Sequence, residues 1–221
     1  MKRFFRDQLT FFSQFRNRFE TTGAIAPSSR FLASAMTGPM KKRTGPRRIL
    51  EVGPGTGAVT HKIVRLLRPE DRFDLVEINE LFADGLKRRF EDDPAYRKHA
   101  GISQVHRCPL QEFESAKPYD VIISGLPHSN FSPELVREMF ESYFRLLSPG
   151  GTLSYFEYMY VRSFRKRIGK SAERIRMKQL DEAVAPFLNQ HQFKKSWVFV
   201  NIPPAWVQHL RKPEQETARA D

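Results

Sequence analysis

The spacing of apolar residues changes period several times along this chain. Phe4, Phe5, Phe11, Phe12, Phe15 and Phe19 recur at helical spacing with Leu9 beside them, and Lys2, Arg3, Arg6, Arg16 and Arg18 occupy much of the remainder. This pattern predicts one amphipathic helix over 2–19. Residues 21–28 break the period and read as a loop, and Ser28 or Ser29 is placed to cap a short helix ending near Met36. Residues 37–46 read as a polar, basic linker. From Arg47 onward, short apolar runs alternate with helical patterns. The runs predict strands at 47–52, 72–78, 102–106, 119–124 and 152–158, with helices at 57–67, 80–91 (capped by Asn79) and 133–147. A basic helical region follows at 161–189, then strands near 193–200 and 205–210 around Pro203-Pro204. Such alternation predicts an α/β fold: a mostly parallel seven-stranded sheet with helices on both faces. The closing strand pair predicts an antiparallel edge. The expected organisation is an N-terminal unit at 1–37, one domain at 38–212 and a disordered polar tail at 213–221.

The most specific chemistry lies where the first strand turns into its helix. Residues 51–57 read Glu51-Val-Gly53-Pro54-Gly55-Thr-Gly57, and Glu77 stands at the end of the next apolar run. Glycines at such a turn let backbone approach a bulky ligand, and an acid about twenty residues further on can hold two ribose hydroxyls. The pair points to an adenosine-type cofactor. The third glycine comes one position too early for a dinucleotide turn, which fits a cofactor without a pyrophosphate. A carboxylate such as Glu51 also suits a cationic ligand.

With its acid just before the first glycine, this motif resembles the first motif of class I S-adenosylmethionine-dependent methyltransferases, whose fold is Rossmann-like. The resemblance implies S-adenosylmethionine as cofactor. It implies that Gly53, Pro54, Gly55 and Gly57 line that ligand, that Glu77 takes the ribose hydroxyls and that Ile78 packs on the adenine. The loop at Cys108 to Leu110 would reach the other side of the adenine, where such enzymes usually carry an acid. Ser124-Gly125-Leu126-Pro127-His128-Ser-Asn130-Phe131 follows the fourth strand, at the end of the sheet where open α/β folds place ligands.

The string Gly-Leu-Pro-x-x-x-Phe and the segment Tyr143 to Tyr158 resemble bacterial phospholipid N-methyltransferases. So do Thr22-Gly23-Ala-Ile-Ala-Pro-Ser-Ser-Arg-Phe-Leu-Ala33 and Asn201-Ile-Pro-Pro-Ala-Trp206. The resemblance covers nearly the whole chain. It implies methylation of the phosphatidylethanolamine amine toward phosphatidylcholine. Thr22, Gly23, Ser124 and Gly125 would then complete the cofactor site, and Leu126, Pro127, Asn130, Arg162 and Arg165 would contact the lipid. The acceptor amine must be neutral to react. Candidate proton acceptors and cation-holding groups are His128, Tyr155, Glu157, Tyr158 and Tyr160. Strand alternation puts Tyr155 and Glu157 on one face and Tyr158 on the other. An ornithine-type aminolipid is a close variant of this substrate. The other readings are an adenine N6-methyltransferase of structured RNA and a membrane-binding protein without turnover.

Composition narrows these choices. The formal net charge is +12, with 37 Lys and Arg against 25 Asp and Glu, so an anionic partner is expected. The chain has 19 Phe, which favours an anionic membrane over nucleic acid. The phenylalanine helix with its flanking arginines fits an in-plane membrane anchor, and the loop after it fits a cofactor cap. The basic run from Arg162 to Lys178 suits lipid phosphate. A single cysteine, Cys108, excludes an internal disulfide framework and a multi-cysteine zinc site, and no metal is expected. Without a signal-peptide pattern or a long apolar span, the expectation is a cytoplasmic protein held peripherally at the inner face of the membrane, with no obligate protein partner.

Overall fold

A computed structural model describes residues 27–159, 171–201 and 203–214. The expected N-terminal helix, Thr22, Gly23, Tyr160, Arg162 and Arg165 lie outside the described residues, as do positions 215–221.

The central apolar runs become strands buried on both faces, while the outer strands, Ser103–His106 and Gln192–Val198, are partly or largely exposed. β1 (Arg48–Val52) lies between β2 (Arg72–Val76) and β4 (Tyr119–Ser124), parallel to both. β3 (Ser103–His106) pairs outside β2, and β5 (Leu147–Tyr158) pairs outside β4, again in parallel. β7 (Ala205–Arg211) runs antiparallel between β5 and β6 (Gln192–Val198). The seven-stranded order is β3-β2-β1-β4-β5-β7-β6, so the sheet carries the expected antiparallel edge. The order reverses between β1 and β4, and such a switch point opens a crevice at the carboxyl ends of the strands.

Helices cover both faces. On one face lie α1 (Pro27–Met36), α2 (Thr60–Val64), α3 (Glu80–Asp92) and the single turn α4 (Pro94–Arg97). They enclose Met36, Ile49, Ile63, Leu75, Leu86 and Val207. On the other face lie α5 (Pro133–Leu146) and α6 (Ser171–His191), over Leu50, Ile122, Phe140, Leu153, Tyr155 and Met177. Burying each such side chain is worth about 1.5–3 kcal/mol relative to exposure. Asn79 caps α3 by accepting from the Phe82 amide, as its position predicts. Ser132 caps α5 in the same way through the Leu135 amide. Between β3 and β4 the chain forms only a 3-10 turn at Leu110–Glu112.

Several boundaries differ from the sequence expectation: β5 begins at Leu147 rather than at 152, and two other segments change character. The helix predicted at 57–67 is reduced to α2, because the turn glycines delay its start and the chain turns again after Val64. Residues 37–46 are a packed strap rather than a linker. They contain a 3-10 turn at Gly38–Lys42, and Met40 is fully buried. The strap is fixed by Arg47, whose guanidinium donates to the carbonyls of Met40 at 2.7 Å and Leu66 at 2.6 Å. The same guanidinium meets both oxygens of buried Asp71, at 3.1 and 2.5 Å. A lone arginine in a basic segment gives no sign of such an anchor until its buried acid is located.

The edge hairpin carries a pH-sensitive group. His209 of β7 is buried, with Nδ1 at 2.8 Å from Ser154 Oγ and Nε2 at 3.3 Å from Ser196 Oγ. Burial, followed by the charges of Lys194 and Lys42, pushes its pKa down from 6.5 to about 4. The unfolded chain therefore takes up this proton first as pH falls. The stability is complete above about pH 6.5 and is lost between there and pH 4. Urea unfolding at pH 5 should give a stability about 2 kcal/mol lower than at pH 7.5 from this group. His61, His99 and His191 shift in the same direction. The contribution of His209 is thus the part of the pH dependence removed by His209→Gln, and an unchanged slope in that variant would refute it.

Candidate active site

The site is assembled at the switch point by three strand ends. The Gly53 amide donates to Val76 O at 2.9 Å, and the Gly125 amide donates to Val52 O at 2.8 Å. These bonds hold the ends of β2, β1 and β4 side by side. Gly53 has φ +66°, a conformation that favours glycine, and a Cβ there would lie 2.3 Å from Leu126 Cδ2. A Cβ on Gly125 would lie 2.6 Å from the Gly53 carbonyl oxygen. The two turns can approach each other only because both residues lack side chains.

Two acids flank this turn. Glu77 is nearly buried, and its carboxylate accepts from the Gly55 amide and the Asn79 amide, each at 2.9 Å. One side chain thereby ties the glycine turn to the start of α3. Glu51 is fully buried within β1. Tyr96 is near enough to feel its charge: burial raises the phenol pKa most, and Glu51 adds to the rise. Gly57 turns toward α3, where a Cβ would lie 2.8 Å from Arg89 Nη1, and Arg89 donates to Thr56 O at 2.7 Å.

Beside these acids opens a cleft. Gly53, Glu77, Ile78, Leu110 and Leu126 line it, so the structure brings together these five predicted site residues. Cys108, Pro109 and Gln111 form one wall, and burial followed by Glu112 raises the Cys108 thiol pKa. Phe131, which closes the Gly-Leu-Pro-x-x-x-Phe string, also lines the cleft together with Leu135 and Met139, and those two sequence reasoning passed over. Their spacing of four was the available signal, but it reads equally as a core stripe. An adenosyl group fits this donor and apolar set. The cleft is mostly apolar with a buried carboxylate at its rim, and the amide nitrogen of Gln111 is buried there without a hydrogen-bond partner among the described residues.

The loop after β4 forms an adjoining floor. Ser124 Oγ lies 2.8 Å from Tyr143 Oη and accepts from the Leu126 amide at 3.3 Å. Tyr143 Oη also lies 3.2 Å from His128 Nε2. Burial keeps this phenol protonated by raising its pKa, while the Ser124 bond opposes the rise. The His128 ring is only 4% exposed, packed at 5.0 Å from Tyr155 and 5.3 Å from Phe140 between ring centroids. Tyr155 is fully buried on this face. Glu157 continues the same face and accepts from Gln208 at 3.3 Å. Tyr158 instead packs with Phe156 against the core beneath α1 to α3. Pro127 and Asn130 bracket the 3-10 turn His128–Asn130. Arg176 of α6 clamps that turn, donating to Phe131 O at 2.8 Å and Ser129 O at 3.0 Å while pairing with Glu173. Within the basic run, Arg176 is thus a loop-holding residue, which charge counting does not distinguish from its solvated neighbours.

Comparisons with known proteins agree with this geometry. Residues 49–151 match the family model described as a methyltransferase domain. The chain is 28% identical to the ornithine lipid N-methyltransferase of Singulisphaera acidiphila over 164 residues, covering 73% of this chain and 84% of that protein. It is 34% identical to the ribosomal RNA small subunit methyltransferase A of Parasynechococcus marenigrum over 90 residues, which cover 41% of this chain and 28% of that protein. Its fold resembles that of the N-methyltransferase NodS from Bradyrhizobium japonicum, crystallised with S-adenosyl-L-homocysteine. The TM-score is 0.60 at 15% identity, covering 85% of this chain and 89% of that one. With residues 49–151 matching a methyltransferase domain on a seven-stranded sheet of this order, the chain has the Rossmann-like methyltransferase fold, consistent with S-adenosylmethionine as its cofactor.

Proposed function

We propose that the domain methylates the amine of a membrane aminolipid, with an ornithine lipid as its first substrate. The observation that carries this reading is the extent of the likeness to an ornithine lipid N-methyltransferase, which spans most of both chains. The likeness to a ribosomal RNA methyltransferase covers less than half of this chain. The acceptor loop also disfavours a flipped base. The aromatic residue that directly follows the proline, His128, is packed on Phe140 and Tyr155 and is only 4% exposed, which leaves it poorly placed to stack on a base. Phosphatidylethanolamine, the substrate implied by the family resemblance, offers a similar primary amine.

S-adenosylmethionine supplies an electrophilic methyl carbon when bound. The protein's share of the chemistry is positioning, which for an in-line displacement provides much of the acceleration. Glu77 and the glycine turn hold the adenosyl end. Ser124, Tyr143 and His128 fix the loop on which the amine is received. As the nitrogen takes the methyl group, it releases a proton, and Glu157 is the carboxylate on that face of β5. No helix among the described residues is long and apolar enough to cross a membrane, so this reading has the lipid met at a bilayer surface.

The test offers the purified chain labelled S-adenosylmethionine with three acceptors: ornithine lipid, phosphatidylethanolamine and small-subunit ribosomal RNA. Label is expected in ornithine lipid. Label in phosphatidylethanolamine alone would change the head group, and label confined to RNA would overturn the proposal.

A further inference from the structure

The outer strand pair carries a surface that the methyl-transfer site does not use. Trp197, Phe199 and Val200 follow one another along the end of β6 and the turn after it, with 57%, 63% and 58% of their surfaces exposed. Trp197 stacks on Phe199 at 5.6 Å and meets Trp206 of β7 edge-on at 5.6 Å. The Lys195 ammonium lies 3.8 Å from the Trp206 ring centroid and 5.6 Å from that of Trp197. An edge strand that shows a contiguous aromatic surface to solvent is exposed to unwanted pairing, and native proteins retain such patches where something covers them.

The charge around the patch selects the cover. From His191 to Lys212 the sequence contains Lys194, Lys195, Arg211 and Lys212 and no Asp or Glu. Tryptophan beside lysine is the pairing that sits at a bilayer interface, the ring at head-group level and the ammonium on lipid phosphate. Single-stranded nucleic acid also seeks aromatics and cations, but a base needs an open ring face. One face of Trp197 is taken by Phe199, and Lys195 lies over Trp206, which leaves fewer open ring faces for stacking bases. Val200 adds an aliphatic side chain suited to acyl chains and not to bases.

We infer that the β6–β7 edge is a docking surface for an anionic lipid bilayer, with Trp197, Phe199 and Val200 entering the interface and Lys194 and Lys195 on the phosphates. The inference rests on the lipid-substrate reading above and deepens it. Trp206 is paired with Glu157 of β5, so the docked edge adjoins the face that carries Tyr155. A lipid head group raised from the bilayer there is delivered beside the acceptor loop.

The chain contains only two tryptophans, and both are in this patch, so its intrinsic emission reports on this surface alone. The full chain is titrated with phosphatidylglycerol vesicles, with and without brominated acyl chains. Co-sedimentation, a blue shift of tryptophan emission and quenching by the brominated chains are expected. The double variant Trp197→Ala, Phe199→Ala should lose roughly tenfold or more in vesicle affinity while binding S-adenosylhomocysteine unchanged. Lys194→Gln with Lys195→Gln should weaken binding and flatten its salt dependence. Sedimentation without any emission change would place docking on another surface and overturn the inference. Absence of sedimentation, or an emission shift given only by single-stranded RNA, would overturn it as well. Methyl transfer to ornithine lipid in detergent micelles is scored separately. Activity there without vesicle quenching sinks the docking surface alone, and quenching without lipid methylation sinks the substrate reading alone.

Discussion

Glu77→Ala is expected to weaken S-adenosylhomocysteine binding about 100-fold, as measured by titration calorimetry. The carboxylate accepts two backbone amides, from Gly55 and Asn79, and a carboxylate has acceptor capacity beyond two bonds. Two ribose hydroxyls donating to a charged acceptor contribute about 1.5 kcal/mol or more each, and a total near 3 kcal/mol corresponds to about two decades in affinity. Loss of the Gly55 tether adds to the effect by loosening the turn that backs the ligand. Glu77→Gln keeps the shape and one acceptor oxygen, so its affinity should fall between the two. Equal affinity in all three proteins would mean that Glu77 braces the turn without touching the cofactor. The thermal midpoint without ligand separates these cases, because pure bracing would lower it and leave the affinity of the folded fraction intact.

The largest effect on stability is expected at Asp71. Its carboxylate is fully buried and receives the Arg47 guanidinium, the Arg47 amide and the Arg68 amide. Burial alone would raise its pKa, but the hydrogen bonds from Arg47 and Arg68 outweigh that and hold it below 3.8. The stabilisation is therefore complete at neutral pH and is lost as pH falls below that value. Asp71→Ala leaves the Arg47 guanidinium, 2% exposed, without its counter-charge. Removing one partner of such a pair costs about 3–5 kcal/mol, a large share of the stability of a single domain. Urea unfolding should show this loss. The double variant Arg47→Met, Asp71→Leu should recover much of it, since it is the orphaned charge that is costly. A loss below 1 kcal/mol in the single variant would contradict this account.

The parallel strands were legible in the sequence because strands buried on both faces are short apolar runs, and turn residues bounded each one. The glycine turn and Glu77 were legible because close backbone approach restricts residue choice, and the structure joins the two through the Gly55 amide. The packed strap at 37–46 was not legible. Its anchor is the pairing of Arg47 with Asp71, which are 24 positions apart, and nothing local marks either residue as buried. The aromatic floor of the acceptor loop was only half legible. Sequence order placed His128 beside the site, but Tyr143 and Phe140 reach it from α5, which covers the same face of the sheet. Arg176 was hidden by its neighbours, since a basic run does not reveal which cation folds back onto a carbonyl. Tyr155 and Tyr158, only three positions apart, illustrate the limit of alternation: it separates their faces, but only packing shows which face holds the loop.

The 3-10 turn that stands between β3 and β4 has a consequence for how the two ends of the site communicate. Without a full helix at that point, the second wall of the cleft falls to α5 through Leu135 and Met139. On the same helix, Phe140 and Tyr143 support the loop after β4. All four side chains sit on the 14-residue helix α5. The cleft and the loop after β4 therefore lean on one helix, so a substitution that displaces it is expected to disturb both.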